Sequence, residues 1–286
     1  MKLNCKDPLV QMLKKYGYNL ILLPKDSIKP LQLLVREEKG IFTWVKDIFT
    51  TPTINQTNAL LSEIFIPDSE AYPIAQPAKI PNDFAKGRSS DVGIDASVEL
   101  MLNFLQIPEE KVTEADKLKI KAAFQSINNF SFAFDQNAST EVVSTLSLDG
   151  FLRDAVVRDT VGNSFRSWLD HNQIYIITEV LKSNSFSMKT SEEDKANLEV
   201  ALPKIKEILK GKFKGHLELA NETTIKHKGE QQLVFGVKAV KLFANKDKNG
   251  QYHFKIVSKE GMAVKSDENF SVENLNIDDS FLEVKP

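Results

Sequence analysis

The run LVFGVKAVKLF, at residues 233–243, decides the fold of this 286-residue chain. It is apolar on both faces for most of its length, which is typical of a strand buried within a sheet. A second β-prone run, IYIITEVL, occupies residues 174–181. The DKNG turn at 247–250 is followed by a last strand at 252–257. This arrangement favours antiparallel pairing over the βαβ crossovers of a parallel sheet.

Two stretches alternate between apolar and polar residues, as strands with one wet face do. Residues 117–135, with a turn at 128–129, predict a β-hairpin whose apolar positions are Leu118, Ile120, Ala122, Phe124, Phe130, Phe132 and Phe134. The second stretch has an apolar face at Phe213, Leu217, Leu219 and Ile225. Its polar face comprises Lys214, His216, Glu218, Glu222, Lys226 and Lys228. A transmembrane strand needs about 9–11 such residues, but soluble antiparallel sheets show the same alternation.

The first hundred residues predict short strands and two further helical segments. Strands are expected at 18–23, 31–35, 41–45 and 60–66, and a proline-rich loop at 67–81. An amphipathic helix begins after Asp7 and ends at Gly17; it packs on the core or meets a lipid surface. Residues 94–105 fit a helix, which we prefer, and also a strand.

Helices are expected again after the alternating stretch at 117–135. One has an apolar face at Leu148, Phe151, Leu152, Ala155 and Val156, and a second covers residues 164–169. A capping box at Ser191 and Asp194 opens a third, kinked at Pro203, whose inward residues are Leu198, Leu202, Ile205 and Leu209. The order of strands, helices, hairpin, helices and hairpin indicates an α+β fold with an antiparallel sheet.

Composition and charge exclude several classes of protein. The chain is 42% hydrophobic and has 37 basic against 39 acidic residues, so no global basic excess points to nucleic acid. Cys5 is the single cysteine, which excludes an intramolecular disulfide and suits a reducing cytoplasm. No signal peptide is expected at the N-terminus, and no run approaches the roughly 18 apolar residues of a transmembrane helix. We therefore expect a soluble, cytoplasmic protein.

Catalytic and metal-binding motifs are absent from the sequence. The four histidines lack the spacing of a metal site: His171, His216, His227 and His253. His216 and His227 fall in the alternating stretch as polar-face or edge residues. No phosphate-binding glycine loop and no nucleophile elbow occur. We expect no enzyme activity, no catalytic residue, no metal and no cofactor.

Several segments, taken in order, resemble the bacterial gasdermins. The strands at 18–24 and 28–34, the glycine-containing segment at 92–98 and the pair 118–121 and 130–135 look like parts of that family's fold. The most specific matches are the runs at 174–183 and 233–243. The likeness covers most of residues 6–257. It implies a twisted antiparallel β-sheet with peripheral helices.

The resemblance also implies a function and a division of the chain. Residues 1–257 would form a pore-forming core and residues 258–286 a C-terminal autoinhibitory peptide. A caspase-like protease would remove that peptide. The core, monomeric and cytoplasmic before cleavage, would then contact membrane lipids, oligomerise and open pores in the inner (plasma) membrane, causing cell death in antiphage defence.

The tail from Ser258 onward is polar, acidic and too short for a core of its own. Its spaced apolar residues are the candidate inhibitory contacts, over apolar surface or a sheet edge: Phe270, Leu275, Ile277, Phe281 and Leu282. The candidate cleavage region is 257–269, where Lys259 and Lys265 are accessible to a basic-specific protease, and 245–250 is the second choice. A tail of no consequence is the alternative.

Cys5 is the candidate lipidation site, because many members of the family are palmitoylated on a cysteine close to the N-terminus. A single acyl chain anchors a protein only weakly. Nearby lysines, Lys6, Lys14 and Lys15, would supply a second, electrostatic contact with the membrane. The alternative is an unmodified thiol. Two other functions remain open: a soluble β-rich protein-binding module without membrane activity, and an enzyme with an unrecognised site.

Overall fold

A computed structural model describes residues 13–14, 16–36, 54–67, 72–80, 112–127, 131–134, 138–210, 216–256 and 284–285. The strands are β1 (Asn19–Lys25), β2 (Gln32–Arg36), β3 (Ile54–Leu60), β4 (Phe65–Ile66), β5 (Ala75–Ala78), β6 (Ser131–Phe134), β7 (Ser139–Val143), β8 (Val156–Val157), β9 (Ile174–Lys189), β10 (His216–Asn221), β11 (Thr224–Lys246), β12 (Tyr252–Ile256) and β13 (Val284–Lys285). The helices are α1 (Leu61–Ile64), α2 (Glu114–Ala123), α3 (Thr145–Arg153), α4 (Asn163–Asp170) and α5 (Lys195–Leu209), with a 3₁₀ turn at Glu192–Asp194 before α5.

A long antiparallel pair, β9 and β11, forms the centre of the main sheet. β9 has 16 residues and β11 has 23, and their register runs from Thr224 opposite Lys189 to Lys241 opposite Tyr175. Three register shifts interrupt the ladder, after Lys228, Val234 and Lys238. Such irregularities bend a strand and increase its twist. The α+β prediction with an antiparallel sheet is confirmed.

Shorter strands flank the long pair in succession. β10, β1 and β12 each pair antiparallel with a different part of β11. β6, β7 and β2 do the same along β9. β3 then pairs with β2, and β13 with β3. The long strands therefore hold separate parts of the molecule together.

Two apolar clusters lie beside the part of the long pair that β2 flanks. One packs strand residues such as Leu33, Ile176 and Val240 with Phe151, Leu152, Phe165 and Leu169 of α3 and α4. The other contains Leu34, Tyr175, Ile177 and Ala239. Because neighbouring positions of a strand face opposite sides, the alternation between clusters shows that this part of the sheet is buried on both faces.

The prediction of a strand across residues 117–124 is wrong, because these residues form α2. Thr113 caps the helix: its Oγ1 accepts a hydrogen bond from the Asp116 amide, and the Asp116 carboxylate accepts one from the Thr113 amide. This reciprocal pair stabilises a helix start. Ile120, Phe124 and Ile127 are fully buried at helical spacing, whereas Leu118 is 63% exposed. The second half of the predicted hairpin is confirmed as β6.

Other expectations need smaller corrections. The strand predicted at 60–66 is broken by α1, since β3 ends at Leu60 and β4 starts at Phe65. The helix α3 ends at Arg153, so Val156 belongs to β8. The Ser191 hydroxyl binds the Asp194 carboxylate instead of capping a backbone amide. The four predicted inward residues of α5 are buried. The predicted strand at 41–45 and the segment at 94–105 lie outside the described residues.

Candidate functional site

Four strands form an amphipathic sheet at one end of the long pair. It comprises β6, residues 185–189 of β9, residues 224–228 of β11, and β10. The register places Phe186, His227 and Leu217 in one cross-strand row, and Met188 with Ile225 in the next. All five side chains are at most 3% exposed. Phe134 and Phe132 of β6 stand opposite Phe186 and Met188. Across β9, β11 and β10, one face of this sheet is therefore apolar apart from His227.

His227 departs from its predicted place on the polar face. It is 2% exposed, and its ring lies 5.2 Å from that of Phe186. The cause is parity: Lys226 and Lys228 occupy the positions that face solvent, so the residue between them must face inward. The alternation predicts the exposed face correctly for Lys226 and Lys228, whereas the prediction of a polar-face or edge position for His227 is wrong.

The opposite face of the amphipathic sheet is polar. Lys226, Lys228 and Glu218 are exposed, and Ser187 and Lys189 are half-buried. Lys226 stands directly between Ser187 of β9 and Glu218 of β10. The sheet thus has the two-sided character that a strand needs between an apolar medium and water.

Two helices lie next to the amphipathic sheet along the chain and contact each other. α5 follows β9, and an ion pair joins Lys195 at its start to Glu222 in the β10–β11 turn. The Asn197 amide donates a hydrogen bond of 2.7 Å to the Ser126 carbonyl, just after α2. Each helix buries one apolar side, through Ile120 in α2 and Leu198, Ala201, Leu202, Ile205 and Leu209 in α5.

The N-terminal segment has a helix end at Gly17, which lies beside the Lys238 side chain in the middle of β11. The Tyr18 amide donates to the Leu13 carbonyl and the Gly17 amide to the Lys14 carbonyl, which is the Schellman pattern of a helix end. Gly17 has a φ of 79°, which a glycine adopts without strain, so the predicted helix stop is confirmed. Leu13 is fully buried and Lys14 half-buried. Tyr18 is thereby placed over the sheet.

A polar cluster then joins four segments around Tyr18. The Tyr18 hydroxyl donates to Glu179 of β9, and Thr140 of β7 donates to the same carboxylate oxygen at 2.9 Å. The Lys238 ammonium of β11 lies 2.7 Å from the other Glu179 oxygen and 4.3 Å from the centre of the Tyr18 ring. The Glu179 side chain is only 13% exposed. We call these four residues the Tyr18 cluster.

Burial is the main reason why the pKa of Tyr18 lies above its ordinary value, and the hydrogen bond to Glu179 raises that pKa further. Tyr18 therefore stays a neutral donor over the physiological range. No sequence pattern pointed to this cluster. Glu179, Thr140 and Lys238 lie 161, 122 and 220 residues from Tyr18 in the chain, and the sheet register brings them together.

The last described residues lie at the edge of the main sheet. Val284 stands opposite Ile54 and Lys285 opposite Asn55, and the two strands run parallel. β3 carries β2 on its other side. The backbone groups of this edge would otherwise be open to pairing with another chain.

Most of the sequence-predicted site residues lie outside the described residues: Cys5, Lys6, Lys15, Lys259, Lys265, Phe270, Leu275, Ile277, Phe281 and Leu282. Lys14 is the member of the predicted basic set that the structure describes. One signal for α2 was visible and missed: Thr113-Glu114-Ala115-Asp116 has the spacing of a capping box.

Neither a grouped metal site nor a membrane-spanning helix occurs in the part of the chain that the structure describes. Within those ranges, no three His, Cys, Asp or Glu side chains are grouped to hold a metal ion. Among the helices that the structure describes, none combines the length and apolar character needed to cross a bilayer.

Comparison with known proteins identifies the family. The model of the Bacterial Gasdermin Family matches residues 21–251. A gasdermin from a Desulfuromonadales bacterium is 29% identical over 248 residues, covering 87% of this chain and 85% of the relative. A gasdermin from an unknown prokaryotic organism is 28% identical over 283 residues, covering 95% and 97%.

A solved structure supports the fold. The structure of a bacterial gasdermin from Bradyrhizobium tropiciagri has a TM-score of 0.50 and 16% identity, covering 87% of this chain and 90% of that one. Gasdermins are pore-forming effectors rather than enzymes, so the family match also confirms that this chain is not an enzyme. The family model spans far more than half of the sequence, and the chain therefore belongs to the bacterial gasdermin family.

Proposed function

We propose that this chain is a latent pore-former, which proteolytic removal of residues after about 257 converts from a cytoplasmic monomer into a membrane-inserted homo-oligomer. A caspase-like protease is the proposed activator, and the death of a phage-infected cell is the proposed outcome. The observation that carries the proposal is the amphipathic sheet, whose buried row of Phe186, His227 and Leu217 is backed by exposed lysines.

A single copy of this sheet has no way to span a bilayer. Backbone amides and carbonyls in lipid need hydrogen-bond partners, and the edge strands of one copy would lack them. A closed ring of copies supplies those partners, because the edge of each sheet pairs with the next. β9 and β11 exceed the about 9–11 residues that a membrane-spanning strand requires.

In the latent monomer, we propose that α2 and α5 cover the apolar face of the amphipathic sheet. The burial of Met188 and Ile225, the ion pair between Lys195 and Glu222, and the apolar sides of both helices support this arrangement. Removing the helices would expose a surface with the character of a lipid-facing strand. The energy for that step comes from burying the same surface in the bilayer.

The sequence of α2 carries two periods. Ile120 is buried within the helix, and the buried Phe124 and Ile127 continue its side at helical spacing just past the helix end. The positions Leu118, Ile120, Ala122 and Phe124 also alternate along the sequence as in a strand. A segment with both patterns gains apolar burial in either conformation. We therefore propose that α2 extends the neighbouring strand β6 when the chain inserts.

The tail is the proposed restraint. The parallel pairing of β13 with β3 supports a role in covering a sheet edge. Cutting between the core and the tail would make this contact intermolecular and lower its effective concentration. Phe270, Leu275, Ile277, Phe281 and Leu282 remain the proposed apolar contacts, and 257–269, with Lys259 and Lys265, the proposed cleavage region.

Acylation of Cys5 is the proposed first attachment to the inner membrane, with Lys6, Lys14 and Lys15 contributing attraction to anionic lipid headgroups. A single chain binds reversibly, so the lysines would lengthen the time that a cleaved monomer spends on the surface.

A content-release assay tests the proposal. A recognition sequence for a specific protease is inserted within 257–269, and release of a trapped dye from anionic liposomes is followed before and after cutting. An N-terminal His tag and a chelating lipid supply the anchor, so that attachment to the liposome does not depend on the acylation of Cys5. Release that begins on cutting is the expected result.

Each other outcome has a defined meaning. Dye release by the intact chain would contradict the inhibitory role of the tail but would still support pore formation. Complete cutting without release, with a folded core that stays a monomer on the liposome, would contradict pore formation and favour a soluble β-rich binding module.

A further inference from the structure

The polar face of the amphipathic sheet carries an excess of positive charge. Its charged residues are Lys189, Lys226 and Lys228 against Glu218, counted over β6, 185–189, 224–228 and the described side chains of β10. Lys226 and Lys228 are exposed, and Lys189 is half-buried. Glu218 stands directly opposite Lys226 and offsets one of the three cations.

The two exposed lysines hold fixed positions in the sheet. Lys226 lies between Ser187 and Glu218 in one cross-strand row, and Lys228 lies opposite Ser185 in the next row of the same face. The residue between them, His227, is buried on the other face. The ammonium groups of Lys226 and Lys228 therefore reach the apolar face only if the register of β11 shifts by one residue.

When the amphipathic sheet spans a bilayer, only one orientation of its two faces is favourable. Its apolar face must meet lipid, so the face with the lysines must meet water inside the ring. Every copy in a ring contributes the same residues, which repeats the lysines around the lumen. Rings of lysine side chains favour anions in a pore.

We propose that the pore of this chain selects for anionic solutes, such as phosphate- and carboxylate-bearing molecules, over cationic solutes of the same size. The inference rests on the proposed function and adds the class of cargo. A lumen potential of about half of kT would raise the ratio of anion to cation concentrations about threefold, and surface potentials on proteins reach several kT. The effect is greatest at low salt, where the Debye length is about 30 Å at 0.01 M.

The test is the ratio of chloride to potassium permeability, obtained from reversal potentials of cleaved protein in planar bilayers under a KCl gradient. Release of a neutral dye from liposomes measures pore formation separately for each variant. The double variant K226E/K228E leaves one lysine against three glutamates on this face. The control K248E/K255E changes the net charge equally at exposed positions in the β11–β12 turn and on β12.

The wild-type ratio is expected to be about threefold in favour of chloride at low salt. K248E/K255E should keep that ratio, and K226E/K228E should bring it below one. A second variant, K226Q/K228Q, should bring it close to one, and it replaces the charge-reversed variant if that variant releases no neutral dye.

Two results would overturn the inference, and they are distinguishable. In the first, neutral dye is released but the chloride-to-potassium permeability ratio of the wild type is at or below one, or K226Q/K228Q leaves that ratio unchanged. This result contradicts anion selection and leaves pore formation supported. Neither dye release nor conductance from cleaved wild-type protein removes the proposed function together with its cargo class.

Discussion

Replacing Lys238 by Met tests how far the Tyr18 cluster holds the N-terminal segment on the sheet. Methionine keeps the unbranched stem, so the change removes the charge that lies 2.7 Å from Glu179 and 4.3 Å from the Tyr18 ring. Removing one partner of a buried ion pair costs about 3–5 kcal/mol. The Lys238 side chain is 29% exposed, so solvent screening lowers the expected loss to about 2 kcal/mol.

Lys182→Met is the matched control. Lys182 also lies on the long pair and contacts a glutamate at 2.7 Å, but that partner, Glu141, is 39% exposed against 13% for Glu179. A more exposed carboxylate is better solvated after its partner is lost, so the expected cost is about 1 kcal/mol or less. The free energy of unfolding is measured by urea denaturation, with circular dichroism as the readout.

The double variant E179Q/K238M removes the charge that Lys238→Met leaves behind. It should be more stable than K238M alone, because a neutral amide costs less to bury than a carboxylate and still accepts the Tyr18 hydrogen bond. The reasoning is refuted if K238M costs no more than K182M, or if the losses from E179Q and K238M simply add.

Three further predictions concern Tyr18, α2 and the helix end at Gly17. The pKa of Tyr18 is raised in the folded state, so above pH 10 the unfolded chain loses this proton before the folded chain does. Between pH 10 and 11 the free energy of unfolding of the wild type should therefore fall by about 1 kcal/mol more than that of Y18F. Parallel curves of unfolding free energy against pH for the two proteins would contradict the burial of this hydroxyl. Ile120→Ala should cost about 2–4 kcal/mol and Leu118→Ala under about 0.5, whereas a strand at 117–124 would make the two costs similar. Gly17→Ala should lose about 1 kcal/mol in urea denaturation, since its φ of 79° strains any residue with a Cβ, and an unchanged midpoint would show that the helix end rearranges freely.

The long strands were predictable because their signal is local. Residues 174–181 and 233–243 are apolar runs too rich in strand-forming residues for any other element, and both lie within the central pair. The strand ends were less predictable. β9 continues through the polar residues Ser183, Asn184 and Ser185, where β11 pairs with Ser183 and Ser185. Beyond them, β6 and β11 supply backbone partners on both sides of residues 186–189, so the strand extends to Lys189.

The failure at α2 has a physical cause as well. Residues 117–124 fit both a strand and a helix, and period alone did not decide between them. The capping box at Thr113 and Asp116 and the packing of Ile120 decide for the helix. The Tyr18 cluster was not predictable, because it depends on how the residue before β1 meets three strands, β7, β9 and β11, from distant parts of the sequence.

The central claim is that the amphipathic sheet spans the bilayer with its buried face toward lipid. Phe186 and Ser187 are adjacent in β9, at nearly the same depth, and lie on opposite faces. A single tryptophan placed at either position, F186W or S187W, with Trp44 and Trp168 replaced by phenylalanine, reports which face meets lipid.

The decisive measurement is quenching of that tryptophan by lipids with brominated acyl chains, after cutting and with dye release confirmed in the same sample. The account predicts strong quenching for F186W and weak quenching for S187W. Equal quenching at the two positions, or none at Phe186 while the dye escapes, would contradict it.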